Sequence, residues 1–269
     1  MRKTIIYIIV ALFAVSFLYP FYWMIVASLS PEADIAGLNL IPGKLTIKNY
    51  VSLFEKIPIW RALFNSLFVS FSITGLVLFF CSMIGYSLAK LDFKGRNLIF
   101  YVIIFTMSLP FQITLIPNYI LMVKFHWVDS YLGLIVPASV NALAIIMFRQ
   151  AFAAMPQALI DAARIDGCSE IRIIFSILWP NIKPTIITVA ILVFMGAWNE
   201  VLWPLIIIRD ESMMTLPQLV TLFAVGGRAE AQVGPKLASA VFLALPIIIA
   251  YLFFQRYFIS SMASSGLKE

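Results

Sequence analysis

Acidic residues, histidine and cysteine are scarce in this chain, and a phosphate-binding glycine loop is missing altogether. Among 269 residues there is one histidine and there are two cysteines. A lone His126 excludes a histidine-based zinc site built within the chain. Cys81 falls in an apolar stretch and Cys168 in a polar one, a spacing that gives neither a disulfide framework nor a metal pair. No metal site is expected. No nucleophile has an evident base, because His126 and Cys81 lie in or beside different apolar stretches, so no catalytic residue is expected either. No G-x-x-x-x-G-K-S/T run occurs, so the chain cannot cradle ATP phosphates in a P-loop. Charge is low overall, at 12% of residues, where a soluble domain carries about 25%.

What is present is apolar. Hydrophobic residues make up 62% of the chain, and the mean hydropathy is +0.98. This is the composition of a membrane protein, and the net charge of +6 is to be read by its distribution across the bilayer. It does not indicate a nucleic-acid partner. Six apolar blocks are long enough, or nearly so, to cross about 30 Å of hydrocarbon as helices. They run over about 5–27, 63–88, 98–123, 132–148, 185–208 and 237–254. The expected fold is therefore all-α, a single transmembrane domain over residues 1–269. Arg2 and Lys3 before the first block also suit a signal peptide. The block is too long for an h-region and no A-x-A site follows, which favours a retained helix.

With the N-terminus inside, Lys90, Lys94, Arg96, Arg149, Arg164, Arg172, Lys183 and Arg256 all fall on the inner side. The outer segments hold fewer basic residues. Both termini and the long segment 155–180 are then cytoplasmic.

That segment, MPQALIDAARIDGCSEIRIIFSILWP, is the longest non-spanning stretch with helical character. Pro156 suits a first helical turn, and Gln157 to Asp166 are good helix formers. Gly167 can take positive φ and end the helix. Ser169 can cap a second helix, with Glu170 in its first turn. The expectation is a helix, a sharp turn and a second helix ending at Pro180. Ala162 and Ala163 would leave a low surface, ringed by Asp161, Arg164 and Asp166. Two readings fit: a docking surface for another protein, or an amphipathic linker lying on the membrane.

Polar residues inside apolar blocks mark a second region. SLPFQITLIPNY carries Pro110 and Pro117 with Gln112 and Asn118, either a structural kink or a contact to substrate. GAWNEVLWPLII places Asn199 and Trp203 on one helical face, as it does Gly196 and Glu200. An acid at that depth marks function by default. The competing reading is an interfacial belt of Trp198 and Trp203, with Glu200 reaching the headgroups.

Asp161-Ala162-Ala163, three residues, Gly167, nine residues and then Ile177-Leu178-Trp179-Pro180 resemble the EAA loop of ABC importer permeases. Asp161 stands in place of Glu and Trp179 in place of Leu. The Trp198–Pro204 stretch, the SLPFQITLIP segment and the ending QRYFISSMASSGL are similar to carbohydrate-class permeases of this family, with Ser261 and Ser265 where glycine or alanine is usual. The resemblance implies the second permease of a maltose-type importer in a bacterial inner membrane, carrying a sugar, oligosaccharide, polyol glycoside or glycerol phosphate ester. It implies ATPase coupling through Asp161, Ala162, Ala163, Arg164, Asp166, Gly167 and Pro180. A substrate pathway would run by Gln112, Asn118, Asn199, Glu200 and Trp203. Implied partners are a different second permease, two ATPase copies that hold ATP and Mg, and an extracytoplasmic solute-binding protein. The tail is either disordered or, by the resemblance, close to the ATPases. The alternative function is a secondary transporter or channel subunit, which the near isolation of Glu200 disfavours.

Overall fold

A computed structural model describes residues 2–35, 43–225 and 232–266, with side chains from residue 4 through residue 249 and at Leu252. Gly226, Gly227 and the last three residues lie outside the described residues, as do the side chains of the tail motif. All described regular structure is helical. The order is α1 (Arg2–Ser28), α2 (Glu32–Ile35), α3 (Lys48–Lys56), α4 (Ile59–Lys90), α5 (Arg96–Thr106), α6 (Phe111–Lys124), α7 (Tyr131–Ile135), α8 (Ala142–Ala153) and α9 (Gln157–Ile165). Then α10 (Glu170–Arg172), a π-helical stretch Ile173–Leu178, a 3-10 turn Trp179–Ile182 and α11 (Lys183–Asn199) follow without a gap. Last come α12 (Leu202–Ile207), a 3-10 turn Glu211–Met213, α13 (Leu216–Val225) and α14 (Val233–Gly266).

Among the described residues, three helical stretches are long and apolar enough to cross a membrane unbroken: Thr4–Ser28, Ile59–Lys90 and Glu170–Asn199. Of the other expected blocks, the sixth lies within the continuous helix α14, whereas the third, fourth and fifth are broken, for local reasons. The third bends by 103° between α5 and α6. Pro110 sits at the break with φ −60 and ψ 135, and its missing N–H and preference for extended backbone end α5. The fourth block splits around Pro137 into α7 and α8. Ser130 caps α7 by accepting from the Gly133 N–H at 3.2 Å, and Asn141 caps α8 by accepting from the Ala144 N–H at 3.0 Å. The fifth starts earlier than expected and breaks at Glu200, whose backbone is extended.

The chain forms two compact units, Met1–Leu63 with Thr215–Ala250, and Phe64–Met214 with Tyr251–Glu269. In the first, Asn49 donates to the carbonyls of Ser28 and Ser30, both at 2.9 Å. The Glu32 carboxylate accepts from the Val233 and Gly234 amides at the start of α14, where orphan N–H groups and the helix dipole favour an anion. Phe54, Trp60 and Phe242 form an aromatic cluster with centroids 5.6 to 5.7 Å apart. The apolar side chains of α1 from Ile5 to Phe21 are exposed, as lipid or another subunit would require.

In the second unit the core holds Val77, Cys81, Phe148, Phe152, Ile160, Ile173, Leu178 and Ile207, all essentially without exposure. Lipid tails are as apolar as these side chains, so packing here depends on close fit. Gly85 shows how close: a Cβ there would lie 2.6 Å from Phe148 Cβ and 2.9 Å from the Arg149 nitrogen. The glycine lets α4 and α8 cross with backbones nearly touching.

Candidate functional site

The segment 155–180 builds its first helix, α9, as expected, with Pro156 just outside it as the capping residue. Ile160 and Ala163 point inward and are buried, while Asp161, Ala162 and Asp166 are exposed. The pair Ala162–Ala163 thus does not form one low surface. Adjacent helical residues are about 100° apart, so one alanine packs on the core and the other faces out. Ile165 is 87% exposed and lies three residues from Ala162, on the same face. Sequence reasoning passed over this isoleucine. Its signal was available, because it falls off the Ile160–Ala163 face on an otherwise amphipathic helix.

The turn is a Schellman motif. Gly167 has φ +76, its N–H donates to the Arg164 carbonyl at 3.0 Å, and the Cys168 N–H donates to the Ala163 carbonyl at 3.0 Å. Those bonds satisfy carbonyls that the end of α9 leaves over. Ser169 caps the next helix by accepting from the Arg172 N–H at 3.4 Å.

That helix does not end at Pro180, contrary to the sequence expectation. Pro180 sits in the first turn of the Trp179–Ile182 3-10 segment, where its ring is tolerated, and the backbone runs on into α11. Just before it the helix widens into the π stretch. The Trp179 N–H donates to the Ile174 carbonyl, an i to i−5 bond. Such widening inside a helix recurs at functional sites.

Polar contacts tie the loop to its neighbours. Asp161 accepts from Gln157 Nε2 at 3.0 Å and stands 3.7 Å from Arg164 Nη1. Arg164 Nε donates to Glu170 Oε1 at 2.8 Å. The Tyr86 hydroxyl on α4 donates to the other carboxylate oxygen of Glu170. Lys90 Nζ donates to the Met155 carbonyl at 2.6 Å. The hydrogen bond to Glu170 holds the Arg164 guanidinium more firmly protonated than usual. Arg164 therefore spends its charge within the chain.

The second region lies around the break at Glu200. Asn199 is exposed and back-bonds to the Met195 carbonyl at 2.8 Å. Glu200 is exposed and its Oε1 accepts from the Trp203 N–H at 3.1 Å, closing the first turn of α12. Trp203 is buried, and its Nε1 donates to the Gly133 carbonyl at 2.9 Å. Trp198 is only 1% exposed. The two rings are packed inside the protein and do not form an interfacial belt. Phe111 meets Trp203 edge-on at 6.2 Å, which brings α6 against α12. Gln112 beside it is exposed and Asn118 is half-buried.

Two anchors at this end were not anticipated. Asp129, at φ +52, accepts from the Arg209 and Asp210 amides, and its own N–H donates to the Ile207 carbonyl at 3.0 Å. Asn65, fully buried, donates to the Ser212 and Met214 carbonyls at 2.9 Å each and accepts from the Tyr131 hydroxyl at 2.7 Å. An asparagine inside an apolar block was the overlooked signal for the second, since a buried amide needs partners.

Comparison with known proteins agrees with this architecture. Residues 81–264 match the family described as binding-protein-dependent transport system inner membrane component. The arabinooligosaccharides transport system permease protein AraQ of Bacillus subtilis (strain 168) is 40% identical, with 94% of this chain and 91% of that protein covered. The sn-glycerol-3-phosphate transport system permease protein UgpE of Escherichia coli O6:K15:H31 is 29% identical over 92% of this chain and 91% of that one. A solved bacterial ABC transporter involved in the import of the acidic polysaccharide alginate has a chain that superposes with a TM-score of 0.83 at 24% identity, over 96% of both chains. That likeness shows the fold. The chain belongs to the family of binding-protein-dependent transport system inner membrane components, and it is a multi-pass permease subunit of an importer, not an enzyme.

Proposed function

We propose that this chain is one of two permease subunits of an importer for an oligosaccharide or a related glycoside or polyol, in a bacterial inner membrane. It spans six times, with both termini in the cytoplasm. The bent α5–α6 pair and the broken α11–α12 segment each count as one span. The loop 155–180 docks on a separate ATPase, which binds ATP and Mg, and a second, different permease completes the pathway. An extracytoplasmic binding protein delivers the solute.

The observation that carries the coupling reading is α9 itself. It offers Ala162 and an 87% exposed Ile165 between Asp161 and Asp166, and is stopped by Gly167 at φ +76. A small residue beside a projecting apolar one, rimmed by charge, fits a groove on another protein better than it fits water. Ala163 packs the opposite side of the helix on the core, and Arg164 ties it to Glu170. The carbohydrate reading rests on the 40% identity with the AraQ permease. Gln112, Asn199 and Glu200 supply exposed polar groups beside the Phe111–Trp203 contact. Trp203 is buried beneath them, and Asn118 stands about two turns further along α6.

The test is purification of the tagged chain from its native membrane in mild detergent. Recovery with a second permease and a P-loop ATPase supports the assembly. The companion binding protein is then titrated with arabinotriose and with sn-glycerol 3-phosphate. Binding of the trisaccharide supports the carbohydrate class, and binding of the phosphate ester alone overturns it. Recovery of the chain only with itself, where a known importer survives intact, overturns the assembly.

A further inference from the structure

Glu170 is the residue at which three separate elements meet. It stands at the start of α10, from which helix continues through the π stretch into α11. One carboxylate oxygen accepts from Arg164 Nε of α9 at 2.8 Å, and the other accepts from the Tyr86 hydroxyl of α4. Arg164 also stands 3.7 Å from Asp161, one turn back on α9. Both of these ion pairs use Arg164.

Mechanically the arrangement resolves a difficulty. Between α9 and α10 the backbone passes through Gly167 at φ +76, with nothing within 4 Å of where a Cβ would stand. Two backbone hydrogen bonds alone close this turn, and a push on α9 loads them directly. Downstream, the π stretch is another place where the helix can deform. The side-chain bridge from Arg164 to Glu170 spans the turn, and the Tyr86 hydrogen bond fastens the same carboxylate to α4. Both contacts are charge-assisted, the stronger kind of hydrogen bond.

We propose that Glu170 is a positioning residue for energy coupling. It clamps α9 to the helix leading into α11 and to α4, so that a displacement of α9 moves both helices instead of folding the turn at Gly167. This rests on the reading that α9 docks on the ATPase.

The experiment uses the complete complex in nanodiscs, with Gly196→Cys as reporter on α11. Gly196 is exposed and a Cβ there meets nothing within 4 Å. Cys168→Ser removes the half-exposed thiol, and Cys81 is fully buried. The maleimide labelling rate is measured with and without ATP and vanadate. Two variants are compared. Tyr86→Phe removes only the hydroxyl. Glu170→Gln keeps the length but removes the charge and one of two acceptor oxygens.

A nucleotide-dependent labelling change in the parent complex, reduced about fivefold or more in both variants while the ATPase still co-purifies and binds ATP, is the expected result. Parent-like responses in both variants would overturn the clamp and leave the docking reading intact. No nucleotide response in the fully assembled parent complex would instead overturn the docking reading. If both variants lose the ATPase, the junction serves folding or assembly alone, and the proposal fails.

Discussion

Single residues here act mostly through what they leave satisfied. Trp203 is the clearest case. Its indole N–H is buried against the Gly133 carbonyl at 2.9 Å, so its place in the site is structural before it is chemical. Trp203→Phe keeps the aromatic contact with Phe111 and orphans a buried carbonyl. The expected cost is about 1–3 kcal/mol, read as a lower Tm in detergent without loss of the purified fold. Ile165 is the opposite case, a large apolar side chain left to solvent at 87% exposure. Ile165→Asp changes little in the isolated subunit, because nothing in the chain covers that side chain. If it enters a groove on the ATPase, the same substitution weakens co-purification by about tenfold or more, as expected for an apolar anchor. An unchanged yield of ATPase would remove Ile165 from the interface.

Elements break where sequence chemistry tells them to, though the breaks are easily missed in an apolar run. Pro110 between α5 and α6 and Glu200 between α11 and α12 interrupt blocks whose hydropathy is continuous. Hydropathy reports solvent preference, whereas the break depends on a missing N–H or an extended residue. At the loop the reverse held. The Gly167 turn and the Ser169 cap were legible in advance, because both follow from local backbone chemistry. Gly167→Val forces a β-branched residue to φ +76, where an ordinary L-residue already costs about 1–2 kcal/mol. Transport is expected to fall at normal expression, measured as ATP-dependent uptake by the reconstituted complex. Full uptake by that variant would show that the left-handed turn is dispensable.

At the scale of the molecule, topology is the quantity to measure. Inner-facing termini would put α9 on the ATP side, together with the basic residues Lys90, Lys94, Arg96, Arg149 and Lys183, as the charge bias of inserted proteins favours. Phosphatase fusions, active only outside, are expected to be inactive at residue 154 and active at residue 44. Activity at residue 154 would invert the topology and detach the loop from any cytoplasmic ATPase.

The residues alone were enough to establish an all-helical membrane protein, the helix that begins at Gln157 and the turn at Gly167. Each rests on composition or on interactions within a few positions. Tertiary structure decided the rest. It turned Ala163 inward and Ile165 outward, buried Trp198 and Trp203, and carried the loop helix past Pro180 into a span. It also joined Tyr86 to Glu170 and Asn65 to Ser212. Those partners are 84 and 147 residues apart in the chain. No local pattern encodes which distant group a side chain will meet. That depends on how closely the helices can approach, as at Gly85, and on the need of every buried polar group for a partner.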